Sequence, residues 1–193
     1  MPQIEQLFAM TGVAPKQVDA VAVSMGPGSF TGLRIGLATA KTLAYIWQKP
    51  IIGVPTLEAL AYGCAACDGY VSAMLDAQKG RVYQALYRWC GIETEEVWPV
   101  RIVHAAQAFQ ELASLESSVV VVGESVREHA GLAGGCVQVA PEQFIMPRAA
   151  SVAFLGQEKW RRGTAVAASD LNPLYVRRAE AEELWERRCG VVT

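Results

Sequence analysis

Residues 26–36 read Gly-Pro-Gly-Ser-Phe-Thr-Gly-Leu-Arg-Ile-Gly, and this stretch decides how the first part of the chain folds. An apolar run at Val18–Ser24 precedes it, and a helical pattern follows it to about Trp47. Pro50 ends that helix, and a short apolar strand at Ile51–Val54 comes next. Strands that alternate with helices in this way predict parallel pairing with crossover helices, so the stretch lies in an α/β unit.

The glycine-rich part of this stretch has two interpretations. Gly26 and Gly28 permit close backbone approach, and Ser29 and Thr31 stand where a helix N-terminus offers free N–H groups, which is typical of a phosphate site. The alternative, which is commoner in α/β proteins, is a tight turn with an ordinary N-cap. The loop lacks the Gly-Lys-Ser/Thr ending of a Walker loop, and Ser29 lacks the spacing of a nucleophile elbow.

The helix behind the loop is apolar over more than half of its circumference. Small residues recur every four positions along it, at Gly32, Gly36, Ala40 and Ala44, and Leu33 is among the larger residues that flank them. A helix that only covers a sheet needs an apolar stripe about 100° wide. The excess predicts a second packing partner at short distance, and we favour another molecule over an internal helix.

The remaining elements predict two lobes. Ile4, Leu7 and Phe8 have helical spacing and predict a short opening helix. The pattern changes at Asp68–Gly69, so we expect an α/β first lobe at residues 1–67 and a second α/β lobe at 68–193. Other predicted elements are a helix capped by Thr56 that runs to about Ala66, a hairpin (70–77 and 81–89), helices at 104–115 and 148–162, and strands at 119–122 and 137–140.

Composition excludes several classes of protein. The 193 residues are 52% hydrophobic and 19% charged, which excludes disorder. With 17 Lys and Arg against 19 Asp and Glu, the net charge of -2 offers no field that attracts nucleic acid or an anionic membrane. No apolar run approaches the roughly 20 residues that span a bilayer, and the start is not a signal peptide. We therefore expect a cytoplasmic protein with no membrane contact, in which the five cysteines are reduced.

Metal and acid–base chemistry have little support in the sequence. The two histidines, His104 and His129, lack ligand-like neighbours, and Cys64 and Cys67 have no second Cys/His pair nearby. Asp76, at the end of a predicted strand, either holds a cation or a hydroxyl or caps the turn that follows it. We expect no metal, no cofactor and no catalytic residue. The charged run from Glu158 onward predicts a solvated helical face, with an RNA-binding patch as the alternative.

Residues 26–36 also resemble the signature of the TsaB (YeaZ) family. Three further segments are similar to family motifs: 53–57 (Gly-Val-Pro-Thr-Leu), 76–83 (Asp-Ala-Gln-Lys-Gly-Arg-Val-Tyr) and 173–177 (Pro-Leu-Tyr-Val-Arg). Family members are non-catalytic partner subunits in the bacterial synthesis of threonylcarbamoyladenosine next to the tRNA anticodon. The resemblance implies a two-lobed actin-like ATPase (ASKHA) fold and a vestigial phosphate loop made of Gly26, Gly28, Ser29, Thr31 and Asp76.

The resemblance further implies which partners the protein has. In the family, the first helices pair with the catalytic subunit TsaD or with a second TsaB copy, and the ATPase TsaE joins the complex, which brings the tRNA indirectly. The implied interface consists of Ile4, Leu7, Phe8, Gly32, Leu33, Gly36, Ala40 and Ala44. Two other functions stay open, a small-molecule kinase that uses the glycine loop with Asp76 and a metallopeptidase-like protein.

One departure from the family concerns the first lobe. Family members begin with a strand and a hairpin ahead of the helix with which this chain opens. The resemblance therefore implies an N-terminally truncated first lobe, whose remaining strands have an unpaired edge and an uncovered apolar face. We expect such a chain to associate with itself.

Overall fold

The computed structural model describes residues 2–64, 69–90, 93–115 and 117–176. Its helices are α1 (Pro2–Thr11), α2 (Phe30–Trp47), α3 (Thr56–Tyr62), α4 (Ala105–Ala113), α5 (Val126–His129) and α6 (Ala149–Arg161). Its strands are β1 (Val21–Gly26), β2 (Ile51–Pro55), β3 (Tyr70–Asp76), β4 (Arg81–Cys90), β5 (Glu93–His104), β6 (Val119–Val122) and β7 (Val137–Val139). No helix in these ranges is both long and apolar enough to cross a membrane.

Strands β1 and β2 form a two-stranded parallel sheet, which confirms the predicted pairing. Helix α2 covers one face of the sheet, where Leu37 and Ala44 are buried in a cluster with Ile51. Helix α6 covers the other face, where Leu155 is buried with Val54. The expectation of an uncovered apolar face was therefore wrong, because a helix from late in the described chain packs there.

Helix α6 lies so close to β1 that only a glycine fits at one position of the contact between them. A Cβ built on Gly156 of α6 would lie only 2.5 Å from the Cβ of Ala22. The segment 166–175 after α6, which we call the strap, also returns to this sheet, because Leu174 donates its N–H to the Met25 carbonyl at 2.7 Å. Segments from both sides of the boundary predicted at residues 67–69 therefore pack on the first sheet.

The second sheet has five strands in the order β5-β4-β3-β6-β7. Strands β3 and β4 form the predicted antiparallel hairpin, and Gln78, Lys79 and Gly80 at its turn have φ angles of 64°, 56° and 69°. Consecutive positive φ angles match the right-handed twist of the two strands of a hairpin. Helix α4 packs on one face through Phe109 and Leu112, and α3 packs on the other through Leu57.

Strand β5 was not predicted from the sequence. It pairs with β4 along the edge of the sheet and carries Glu95, Glu96 and Pro99 among its apolar residues. Charged residues and proline are common on edge strands because they prevent pairing with other chains. They also interrupt the apolar alternation by which a strand is recognised.

Helix α3 begins at the predicted residue but without the predicted cap. The N-cap position is Pro55, which makes no side-chain cap hydrogen bond. The Thr56 hydroxyl instead forms a hydrogen bond of 2.6 Å with the Ser24 hydroxyl of β1. The prediction of a capping threonine was wrong because this long-range partner takes its oxygen. Helix α3 ends at Tyr62, whereas we expected an end near Ala66, which lies outside the described residues.

A polar network connects the second sheet to α4. The buried Gln84 donates to the Ser72 hydroxyl at 3.2 Å and accepts from the Arg101 guanidinium at 2.8 Å. Arg101 also forms an ion pair with Glu111 on α4. Hydrogen bonds from Gln107 and Arg101 hold the pKa of the Glu111 carboxyl below its usual range. The charged form of Glu111 therefore stabilises the folded chain.

We predict that Glu111→Gln lowers the melting temperature near pH 7. A lowered pKa means that the stabilisation is present above the ordinary carboxyl pKa of about 4.3 and is lost as the pH falls through the pKa of the folded state. The difference between variant and wild type should therefore shrink in acid. Thermal unfolding followed by circular dichroism across this pH range measures it. Glu128→Gln, at an exposed carboxylate on α5, is the control, and a gap for Glu111→Gln that does not change with pH would contradict the assignment.

Candidate functional site

The small residues of α2 do not share one face of the helix. Gly32 and Gly36 are exposed, whereas Ala40 and Ala44 are buried against the first sheet. Because four residues advance an α-helix by about 40° beyond a full turn, the row rotates from solvent into the core. The prediction that Ala40 and Ala44 face a partner was wrong, since they pack inside the chain. Leu33, which also belongs to the interface that the resemblance implies, is half-buried.

The outward face of α2 is apolar and uncovered. Ile35 and Ile46 are 64% and 66% exposed, and they lie on the side of the helix opposite its buried stripe. Outside the helix itself, no described residue lies within 4 Å of a Cβ built on Gly36. Tyr45, at the edge of this face, is 78% exposed. The sequence analysis named the two glycines of this face, Gly32 and Gly36, but not Tyr45.

Helix α1 contacts α2 and carries further exposed apolar residues. None of its described residues is fully buried, and its ring contact to α2 joins Phe8 and Trp47 at 5.7 Å between centroids. Ile4 and Phe8 are half-buried, whereas Leu7 and Met10 are largely exposed. Exposed large apolar residues on two neighbouring helices are typical of an interaction site in a folded protein. We call the surface formed by Leu7, Met10, Gly32, Ile35, Gly36 and Ile46 the α1–α2 face.

The glycine loop is used mainly to build the chain itself. Ser29 is the N-cap of α2, and its hydroxyl accepts from the Gly32 N–H at 3.3 Å. Gly26 has a φ of 112°, and a Cβ built on it would lie 2.8 Å from the Leu174 carbonyl oxygen. Gly26 therefore makes room for the strap and does not line a ligand cavity, which corrects its place in the phosphate loop.

A cleft of about 480 Å³ separates the loop from the second sheet. Gly28, Ser29 and Thr31 line one side of it, and Asp76 and Glu124 line the other. The sequence therefore predicted correctly that the loop and Asp76 come together. Among the described residues, the lining includes two carboxylates and no lysine or arginine, which disfavours a phosphate group.

Asp76 acts locally within the hairpin. Its Oδ1 accepts from the Gln78 N–H at 2.7 Å, which is the turn-capping alternative of the two that the sequence left open. No three His, Cys, Asp or Glu side chains in the described part of the chain are close enough together to hold a metal ion. Cys64 is buried, while Cys67 and the arginines from Arg177 onward lie outside the described residues.

The groups with raised pKa values lie away from the cleft. Burial, together with the carboxylates of Glu58 and Glu96, raises the pKa of Tyr87 above its usual range. Burial, and then the charge of Glu58, raises the pKa of Glu96. Glu58 itself forms an ion pair with Lys159 of α6 at 3.0 Å. None of these four residues lines the cleft, so they supply no acid or base there.

Comparison with known proteins gives a consistent family. The family model described as "TsaD: tRNA N6-adenosine threonylcarbamoyltransferase" matches residues 1–185. The Bacillus subtilis (strain 168) protein named "tRNA threonylcarbamoyladenosine biosynthesis protein TsaB" is 35% identical over 96% of this chain and 81% of its own length. The Escherichia coli (strain K12) protein of the same name is 32% identical over 98% of this chain and 83% of its own.

Solved structures agree with the sequence relatives. A Pseudomonas aeruginosa structure, described as an uncharacterized protein with similarity to peptidase YEAZ, matches with a TM-score of 0.81 and 25% identity. The match covers 91% of this chain and 82% of that one. This chain and the Pseudomonas aeruginosa protein therefore share a mixed α/β architecture.

We predict that the purified protein does not bind ATP at micromolar concentration and does not hydrolyse it. The described cleft offers carboxylates where the nucleotide would bring negative phosphates, and its loop hydroxyl at Ser29 already caps α2. Titration calorimetry with ATP and magnesium measures the affinity. The Gly28→Val variant is a clean test, because no described atom beyond its neighbours lies within 4 Å of a Cβ at Gly28. A magnesium-dependent affinity that this variant removes would contradict the prediction and favour a kinase.

Proposed function

Because the chain belongs to the TsaB (YeaZ) family, we propose that it is a partner subunit in the synthesis of threonylcarbamoyladenosine in tRNA. Its relatives from Bacillus subtilis and Escherichia coli are named as biosynthesis proteins for this modification. We propose that it acts by binding the catalytic subunit TsaD and does not transfer the threonylcarbamoyl group itself. The observation that carries this proposal is the uncovered α1–α2 face.

The α1–α2 face has the properties of a close helix–helix interface. Gly32 and Gly36 leave a shallow groove along α2 in which the backbone of a second helix can approach. Ile35 and Ile46 lie beside this groove and supply apolar area that water covers in the free chain. Leu7 and Met10 on α1 widen the surface beyond one helix. A partner with an equally apolar pair of helices would bury these side chains at the centre of the interface.

The same face supports a second copy of the chain as an alternative partner. A twofold interface places one patch against itself, so a homodimer and a complex with TsaD would use the same residues and exclude one another. The family model that spans residues 1–185 carries the name of the transferase, which supports a shared architecture for the two subunits. We propose that TsaE joins through this complex, that tRNA is reached indirectly, and that the protein acts in the cytoplasm.

The cleft supports an accessory role better than an enzymatic one. A two-lobed actin-like kinase needs phosphate loops and a carboxylate for magnesium, and Asp76 here uses one of its two oxygens to cap its own hairpin turn. The cleft between the two sheets is consistent with that fold while lacking cationic lining among the described residues. A metallopeptidase needs a cluster of metal ligands, and the described residues contain none. We therefore propose that the cleft is vestigial.

We predict that Gly36→Leu abolishes the capture of TsaD while the chain remains folded. A leucine at this position would hold the partner helix away from α2 and remove the contacts beneath it. The fold should tolerate the change, because a Cβ at Gly36 meets no described atom outside its own helix and leucine is the better helix former by nearly 1 kcal/mol. Pull-down with TsaD measures the loss of binding, and circular dichroism of Gly36→Leu and wild type measures whether the fold is retained.

The matched control is Ala153→Leu, which adds the same side chain to an exposed position on α6. It should capture TsaD as the wild type does. Equal capture by Gly36→Leu and wild type, with unchanged circular dichroism, would show that the α1–α2 face is not the interface.

A further inference from the structure

We infer that the strap, residues 166–175, holds α2 in the position that pairing requires, and that Lys41 is the positioning residue that joins the two. This inference rests on the proposed function, because the activity that it concerns is the binding of TsaD through the α1–α2 face. Lys41 lies on α2 but is directed at the strap. Its Nζ donates to the Leu171 carbonyl at 2.8 Å and to the Ser169 carbonyl at 3.3 Å.

The strap contacts α2 in its middle and at its start. Leu171 of the strap is 7% exposed and belongs to the buried cluster that includes Leu37 on the inner side of α2. At the first turn, the rings of Tyr175 and Phe30 pack at a tilt of 33° with their centroids 5.3 Å apart. The strap therefore fixes both the depth and the direction of α2 above its sheet.

The first sheet is shaped to receive the strap. A Cβ built on Gly53 would lie 2.8 Å from a methyl carbon of Leu171, so a larger residue there would displace it. Gly26 gives the same room to the Leu174 carbonyl, and Leu174 in turn donates to Met25. At its other end, Val166 pairs with Ile51 of β2 through two backbone hydrogen bonds of 3.0 Å. Close contacts over its whole length make the strap a fixed support and not a loose connection.

Lys41 is separated from the surface that a partner would touch. At 100° per residue, its side chain leaves α2 about 120° away from Ile35 and about 140° away from Gly36 and Ile46. Its ammonium group donates two hydrogen bonds to carbonyls of the strap, away from the α1–α2 face. A substitution at Lys41 therefore changes how α2 is supported without removing a contact to the partner.

The first experiment compares Lys41→Met, Lys41→Arg and Lys16→Met in binding to TsaD from the same organism. Methionine keeps the length of the side chain but loses its donors, arginine keeps donors, and Lys16 is an exposed lysine outside the strap and the face. Affinities are measured at a temperature at which all variants give the wild-type circular dichroism. We expect Lys41→Met to bind about tenfold more weakly, which is within the usual range of coupling between two sites. Lys41→Arg should restore binding, and Lys16→Met should not change it.

The second experiment uses the wild-type chain, so it does not depend on how a variant folds. If the strap favours pairing, then pairing must stabilise the strap by the same free energy. Hydrogen exchange of the Leu174 and Val166 N–H groups should therefore slow when TsaD binds, while the Ala140 N–H, which donates to Val121 in the second sheet, should slow less. A strap that supports the fold without being coupled to pairing would show no selective slowing of exchange.

The outcomes separate this inference from the proposed function. If wild-type protein does not bind TsaD, both are wrong. If wild type binds and Gly36→Leu does not, but Lys41→Met binds as tightly as wild type or the exchange of Leu174 is unaffected by TsaD, the inference about the strap alone is overturned.

Discussion

Helix α2 has two apolar stripes, and the first sheet can cover only one of them. The rest of the structure depends on this constraint. The inner stripe, which includes Leu37, Ala40 and Ala44, packs on β1 and β2. The outer stripe at Ile35 and Ile46 has no described partner in the chain. Burying apolar surface is the main favourable term in folding and association, so an exposed stripe of this kind favours a second molecule. The strap and the first sheet hold α2 from the inside, which leaves the outside available.

The polar groups at the start of α2 are used by the fold, whereas the apolar residues of the α1–α2 face are not. A phosphate site would need the free N–H groups of the first turn, and Ser29 instead caps that turn from within. Gly26 serves the approach of the strap, and Asp76 serves the hairpin turn. Residues that would serve a nucleotide in an enzyme are thus occupied by local structure here. Ser29 and Asp76 in the cleft are thus used by the fold, while the α1–α2 face has no described partner in the chain.

Local patterns in the sequence predicted much of this structure. The hairpin turn at 78–80, the strand Val119–Val122 and the span of α2 follow from short-range signals such as positive-φ positions, apolar runs and helical periodicity. The union of the glycine loop with Asp76 in one cleft followed from the family resemblance. Strand β5 was missed because its charges and Pro99 hide the alternation of an edge strand. The packing of α6 and the strap on β1 was missed because no local pattern encodes a contact between distant segments.

Only part of the candidate site could be predicted from the sequence. Periodicity identified Gly32 and Gly36 but also included Ala40 and Ala44, because a spacing of four residues looks like one face over a short distance and turns by about 40° at each step. Only the position of the sheet decides where along the row the core begins. The sequence analysis did not identify Lys41, because its partners at Ser169 and Leu171 are far away in sequence.

The most direct test of the central claim, that the outer stripe of α2 is the binding surface for TsaD, is site-specific photocrosslinking. A photoreactive phenylalanine analogue placed at Ile35 lies on the α1–α2 face, and the same analogue at the exposed Gln157 lies on α6. On irradiation with TsaD, the account predicts a covalent product from position 35 and none from position 157. Crosslinking from position 157 alone, or from neither position in a mixture in which the two proteins bind, would contradict it.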